Sequence, residues 1–260
     1  MEWLLLAIPL GIVIGLIVGA VGGGGAILAL PVLVYVLGEE VGPASTASLI
    51  VVAIAAGVGA GALALRGHVC WRIALTFFAP AAVGSVAGAI GNHAASPKAL
   101  ILSFVPIMLV AAAATWRRAS HTESDETGSC PAAQPVRIVP AGLGVGALTG
   151  FFGVGGGFLI VPILTLWLGF TFRRAVATSL VIITLTGLVA LASHFAAGAA
   201  INAELTIALA VSTGAGALIG SLLAQRVPQA ALGRAFAIVV GLLAGFLLLD
   251  TLLLGGPPNG

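Results

Sequence analysis

The sequence predicts an all-α polytopic membrane protein built from two inverted repeats of five hydrophobic segments each, giving eight to ten spans with glycine-broken or re-entrant hairpins. Three observations predict it. The 260-residue chain is 60% hydrophobic and only 7% charged, with mean hydropathy +1.22. The stretch Gly15 to Gly38, GLIVGAVGGGGAILALPVLVYVLG, returns from Gly146 as GALTGFFGVGGGFLIVPILTLWLG, at a constant offset of 131 that holds through Leu49 and Leu180. Finally, nine of the ten basic residues collect on one side if every segment changes sides.

Taken in order, Leu4 to Val21 is a first apolar segment and Ala26 to Leu37 a second, separated by Gly22, Gly23, Gly24 and Gly25. Neither comfortably spans about 30 Å of hydrocarbon at ~1.5 Å per residue, so a broken or re-entrant hairpin is expected. Pro31 is expected to kink the second segment, and Pro162 its counterpart. Ala44 to Leu65, Ile73 to Ile90 and Ala99 to Thr115 complete the first half. The only long polar stretch follows, RRASHTESDETGSCPAAQPVR, which reads as a flexible tether. The expected units are therefore a first membrane repeat at 1–116, a cytoplasmic linker at 117–137 and a second membrane repeat at 138–260. In the second repeat, Ile138 to Phe152 and Phe158 to Leu168 flank Gly153, Gly155, Gly156 and Gly157. Ala175 to Ala197, Leu205 to Ala224 and Ala235 to Leu254 follow.

Arg66, Arg72, Arg117, Arg118, Arg137, Arg173, Arg174, Arg226 and Arg234 share one face, which the positive-inside rule makes cytoplasmic. Glu2, Glu39, Glu40, Glu204 and Asp250 share the other with Lys98, so both termini are expected outside. Met1-Glu2-Trp3 lacks a basic leader and reads as the start of a retained helix and not a signal peptide. The two cysteines, Cys70 near a helix end and Cys130 in the linker, support no disulfide framework. A soluble core protein is excluded, and no metal-ligand cluster, Walker loop or catalytic triad points to an enzyme or a cofactor.

A glycine run permits positive φ and leaves amides uncovered, and non-helical backbone at membrane depth must be buried in protein or line a cavity. The helix after each break would aim its partly positive N-terminus at that cavity, which suits an oxyanion. The expected binding residues are Gly22, Gly23, Gly24 and Gly25 with Gly153, Gly155, Gly156 and Gly157. Ser45, Thr46, Ser48, Thr178 and Ser179 would add neutral donors, with Ser48 and Ser179 foremost because they recur at the repeat offset. Gly15 and Gly19, four residues apart, read instead as helix-packing contacts. His194 is the one titratable side chain well inside a helix; a packed or interfacial histidine is the plainer reading, proton coupling the sharper one.

The paired runs GAVGGGGAILALP and GFFGVGGGFLIVP, the following ASTASL and AVATSL, and the helix GAGALIGSLLAQRVPQAALGRAF resemble the TauE/SafE sulfite exporter (TSUP) family. The resemblance covers nearly the whole chain outside the linker. It implies export, and sometimes uptake, of sulfite, sulfonates or related organosulfur anions, with the bacterial cytoplasmic (inner) membrane as the expected location. One departure is Ala47 where the second half has Thr178, so the halves need not contribute equally. The expected partners are a small sulfur-containing anion and the lipid bilayer, with a homo-oligomer allowed and nucleic acid not expected. The alternatives in other classes are a non-transporting accessory or assembly protein and an anion channel.

Overall fold

Lipid offers the backbone no hydrogen-bonding partner, so an apolar chain satisfies its amides within each segment. The computed structural model, which describes residues 2–23, 26–92, 97–121, 130–152, 157–196, 198 and 201–249, is accordingly helical outside short connections. The described helices are α1 (Glu2–Val21), α2 (Ala26–Pro31), α3 (Val41–Ala64), α4 (Trp71–Asn92), α5 (Pro97–His121), α6 (Pro135–Phe152), α7 (Gly157–Leu166), α8 (Phe172–Ala196), α9 (Ala203–Leu223) and α10 (Gln229–Leu249). Five of them, α3, α4, α8, α9 and α10, contain stretches long and apolar enough to cross a membrane. Shorter apolar helices lie in α1, α6 and α7. The chain is thus an all-α, multi-pass membrane protein.

Several local features recur at the sequence offset. Gly38 and Gly169 both take φ +71°, and each ends the second segment of its half. Behind them Glu39 N–H donates to Leu33 O and Phe170 N–H to Leu164 O, both at 3.0 Å. This is the six-to-one bond of a glycine-terminated helix. Gly67 and Gly198, with φ +71° and +78°, likewise end α3 and α8. The halves differ at the prolines. After Pro31 the chain widens into a π-turn, Val32–Val36, whereas Pro162 sits inside a continuous α7.

Helix packing joins the halves. The most extensive contacts are α4 with α6 and α1 with α9. Both pairs run parallel and approach through small residues. A Cβ on Gly15 would lie 2.1 Å from Thr213 O, and one on Gly19 2.1 Å from Ala217 O. On the other side, a Cβ on Gly146 would lie 2.0 Å from Ala81 O and one on Gly150 1.9 Å from Ser85 O. The packing reading of Gly15 and Gly19 therefore describes what they do, since only hydrogen fits between these backbones. Helices α3 and α8 occupy equivalent places in the two halves and pack antiparallel, Gly59 against Leu180, Gly57 against Thr184 and Gly187 against Ala53.

One expectation is overturned. Cys70 and Cys130 are disulfide-bonded, with Cα atoms 5.7 Å apart. The linker end folds back onto the α3–α4 connection, and a separation of 60 residues leaves no trace in local sequence. Helix α5 also runs through Arg117 and Arg118 to His121, because basic side chains suit a helix C-terminus.

The packing makes a stability prediction. Alanine at Gly19 or Gly150 should cost at least about 1–3 kcal/mol through overpacking against carbonyls, whereas Gly61→Ala, which meets open space in α3, should be neutral or stabilising. Thermal unfolding of the detergent-solubilised variants checks the contrast.

Candidate functional site

The two glycine breaks meet. A Cβ on Gly23 would stand 1.8 Å from Gly157 O, and one on Gly157 would stand 3.0 Å from Gly23 Cα and 2.7 Å from Ile183 Cδ1. Beside them Gly22 adopts φ +80°, a conformation for which glycine is the natural residue. A side chain there would press on Ser179 Oγ and Val161 Cγ2, both at 3.0 Å. Gly24, Gly25, Gly153, Gly155 and Gly156 lie outside the described residues, as does Asp250.

Next to this junction is a cavity of about 340 Å³, bounded mainly by α3, α4, α6 and α8. Ile183, which covers Gly157, lines its inner end together with Ile160 of α7 and Leu30 of α2. Ser193 and His194 line it near the C-terminal end of α8. Between them it presents Ser45, Ser48, Ser85, Thr149 and Thr186 on walls of valine, alanine and isoleucine. Among the described lining residues there is no Asp, Glu, Lys or Arg.

The hydroxyls are parked on their own helices. Ser45 donates to Gly42 O, Ser48 to Ser45 O, Ser85 to Ala82 O, Thr149 to Gly146 O, Thr186 to Ile182 O and Ser193 to Val189 O, at 2.7–3.1 Å. Such bonds satisfy a hydroxyl at little cost and are exchanged for a ligand by a rotation about χ1. Thr46, fully buried, shares a 2.9 Å hydrogen bond with His194 Nδ1. With Thr46 as donor, Nδ1 of His194 accepts and its Nε2–H is a further donor.

The described residues singled out in the sequence fall into three groups. Ser45, Ser48 and His194 line the cavity, and Thr46 positions His194. Gly22, Gly23 and Gly157 form the closed junction beneath it. Thr178 and Ser179 are fully buried and do not line the cavity; Ser179 shares a helix face with Ile183 and Thr186 but lies a turn deeper, against Gly22 of the junction. Ser179 donates to Val176 O at 2.9 Å, and Thr178 Oγ1 accepts the Cys70 N–H at 3.2 Å. The equivalent serines, Ser48 and Ser179, thus stand in different surroundings, one open and one packed. Sequence reasoning missed Ser85, Thr149, Thr186 and Ser193. A usable signal existed for two of them, since Ser85 and Thr149 sit beside the paired glycines Gly84, Gly88, Gly146 and Gly150 of α4 and α6.

A family model described as sulfite exporter TauE/SafE matches residues 7–247. The chain belongs to that family. It is also similar to a probable membrane transporter protein of Xylella fastidiosa strain Temecula1, with 31% identity over 91% of this chain and 92% of the relative. Further relatives described as probable membrane transporter proteins come from Methanocaldococcus jannaschii, 29% identical over 74% of each chain, and Bacillus subtilis, 31% identical over 72% of this chain and 78% of the relative. No solved structure matches.

In this TauE/SafE chain a second cluster lies where α3 ends and α8 begins. Arg66 Nη1 donates to Gln225 Oε1 at 2.8 Å, Arg173 Nη2 to Gln225 O and Val227 O at 3.1 and 3.2 Å, and Arg174 Nη1 to Gly67 O at 3.4 Å. Burial, then the positive charges of Arg173, Arg174 and Arg66, lower the pKa of His68 between them. Glu39 lies at a different connection, where its Oε1 accepts from Asn202 Nδ2 at 2.9 Å.

The cavity geometry is checked by thiol access in a Cys70→Ser/Cys130→Ser background. Ser85→Cys and Ser193→Cys should react with a small water-soluble thiol reagent at least about tenfold faster than Ser179→Cys or Ser221→Cys, both fully buried. Mass spectrometry of the labelled protein reads the rates.

Proposed function

We propose that this chain is a secondary transporter that exports sulfite, a sulfonate or a related organosulfur anion across the cytoplasmic membrane, and that it binds the anion in the hydroxyl-lined cavity. The observation that carries the reading is a cavity of about 340 Å³ whose described lining residues include several hydroxyls and a histidine but no Asp, Glu, Lys or Arg. A site of this kind holds a small oxyanion by hydrogen bonds and helix-end dipoles, without the tight ion pair that would oppose release. A charge-free lining also lets the anion retain its negative charge while crossing, so movement is electrogenic. With the cytoplasm negative, each exported charge gains about 2.3 kcal/mol per 100 mV.

The inverted-repeat reading belongs to the same proposal. It is supported by the antiparallel packing of α3 with α8, by the recurrence of the glycine contacts, and by the unequal surroundings of Ser48 and Ser179. Ten segments with both termini outside and residues 117–137 in the cytoplasm agree with the nine-to-one division of basic residues. A carrier fits better than a channel, because the cavity ends on the close-packed Gly23–Gly157 junction. The short connections among the described helices offer no extensive soluble surface for an accessory role.

Proteoliposome flux tests the proposal. A panel of sulfite, sulfonate, sulfate and chloride should show saturable transport of the organic or inorganic sulfur anion, accelerated by an interior-negative potential in the export direction. Ser48→Val and Thr149→Val should weaken cargo binding about tenfold or more by removing charge-assisted hydrogen bonds, while Arg226→Gln should leave it within about twofold. Flux that ignores the potential and follows a pH gradient would contradict the electrogenic scheme and move attention to His194. An inactive alkaline-phosphatase fusion at Gly260 would contradict the orientation.

A further inference from the structure

The disulfide stands in an unusual place. Cys70 joins α3 to α4 beside Arg66, Arg173 and Arg174, on the face that the charge distribution assigns to the cytoplasm, a compartment that keeps structural thiols reduced. A cystine there is expected to be transient. We infer that Cys70 and Cys130 form a thiol–disulfide exchange site, with low-molecular-weight disulfides and thiols as its reactants and the position of the linker as its output. The inference rests on the proposed orientation of the transporter.

Both sulfurs have surroundings suited to exchange. Cys130 is exposed, and Arg174 Nη1 lies 3.4 Å from its Sγ. Cys70 is buried, with Arg174 Nη1 4.0 Å from its Sγ. Its carbonyl accepts from Ile73 N–H and Ala74 N–H at 3.0 and 2.9 Å, which places it at the N-terminal end of the 22-residue α4. A guanidinium and a helix N-terminus both favour the thiolate, the form that attacks and the form that leaves.

The exposures divide the roles. In oxidation, the Cys130 thiolate attacks one sulfur of an external disulfide and expels one thiolate. The Cys70 thiolate then attacks Cys130 Sγ and expels the second, so the protein gives up two protons and two electrons and the external disulfide becomes two thiols. In reduction, an external thiolate attacks the exposed Cys130 Sγ and Cys70 departs as the stabilised thiolate; a second external thiolate then attacks the external sulfur of the mixed disulfide, Cys130 departs as a thiolate, and the two external thiols leave as one disulfide.

The staple has two points of action on transport. It holds Cys130, and with it the segment that leads into α6, against the arginine-rich end. The staple also fixes Cys70, whose N–H donates to Thr178 Oγ1, and the next residue, Ser179, packs against Gly22 in the floor of the cavity. The oxidised state is therefore the restrained one. Its flux should be at least about fivefold lower than that of the reduced state, the lower end of ordinary coupling between sites.

The test has a chemical arm and a transport arm, both on the full chain. In cells quenched with acid and alkylated before and after reduction, both cysteines should be thiols during growth and a disulfide after a thiol oxidant. A pair that is oxidised under both conditions would overturn the inference, and with it the orientation. In purified protein, exchange with glutathione disulfide should slow about fivefold or more in Arg174→Gln, which retains both thiols; an unchanged rate would overturn the assigned role of the arginine and the built site. In proteoliposomes, oxidation should lower sulfur-anion flux and dithiothreitol restore it, while Cys130→Ser responds to neither; equal flux in the two redox states would overturn the output. Fast, arginine-dependent exchange in protein that carries none of the sulfur anions would uphold the exchange site and refute the proposed cargo instead.

Discussion

Two stretches of backbone, at Gly23 and Gly157, lie directly on one another with room for nothing larger than hydrogen between them. In a membrane this contact resolves a severe constraint. A broken helix exposes amides and carbonyls that lipid cannot satisfy, and here Gly23 and Gly157, one from each break, cover one another. The cover must be close, which explains glycine on both sides, and it must be central, since one break comes from each half of the chain. Once fixed, the junction becomes the floor of the cavity, and Ile183 seals its edge. The position of Ser48 above and Ser179 beside that floor follows from it.

The rest of the scaffold keeps the junction in place by close approach of small residues. Apolar side chains gain little from leaving lipid for a protein interior, so association depends on dispersion and on contacts that bring backbones near. The parallel pairs α1 with α9 and α4 with α6 do so through Gly15, Gly19, Gly146 and Gly150, each facing a carbonyl of its partner. Each pair joins the first helix of one half to the fourth of the other, which ties the two repeats together. The long helices α3 and α8 are left to line the cavity, and their serines and threonines can serve a ligand because they bond to their own carbonyls in its absence.

Much of this was legible in the sequence. Composition gave the helices and their approximate ends, and the duplicated glycines identified the pair of breaks that meet. The hydroxyls were harder to read. Repetition at the offset favoured Ser48 and Ser179 equally, yet only Ser48 lines the cavity, because two equivalent residues need not have equivalent surroundings in one conformation. Ser85, Thr149 and Ser193 have no hydroxyl counterparts in the other half that would have drawn attention to them. The disulfide was illegible for a plainer reason. It depends on where the polar linker turns back, and no periodicity governs a linker.

The contact between Gly23 and Gly157 is tested most directly by thermal unfolding of Gly157→Ala, Gly23→Ala and each combined with Ile183→Val. Ile183→Val removes Cδ1, the side-chain atom nearest a new Cβ at residue 157, and by itself costs about 0.5–1.5 kcal/mol. It should recover part of the stability lost in Gly157→Ala, giving a coupling of about 0.5 kcal/mol or more. It should recover nothing in Gly23→Ala, where the obstruction is the backbone of Gly157. A neutral Gly23→Ala, or strictly additive effects in the Gly157 pair, would mean that the two breaks do not pack on each other and that the floor of the cavity is built from something else.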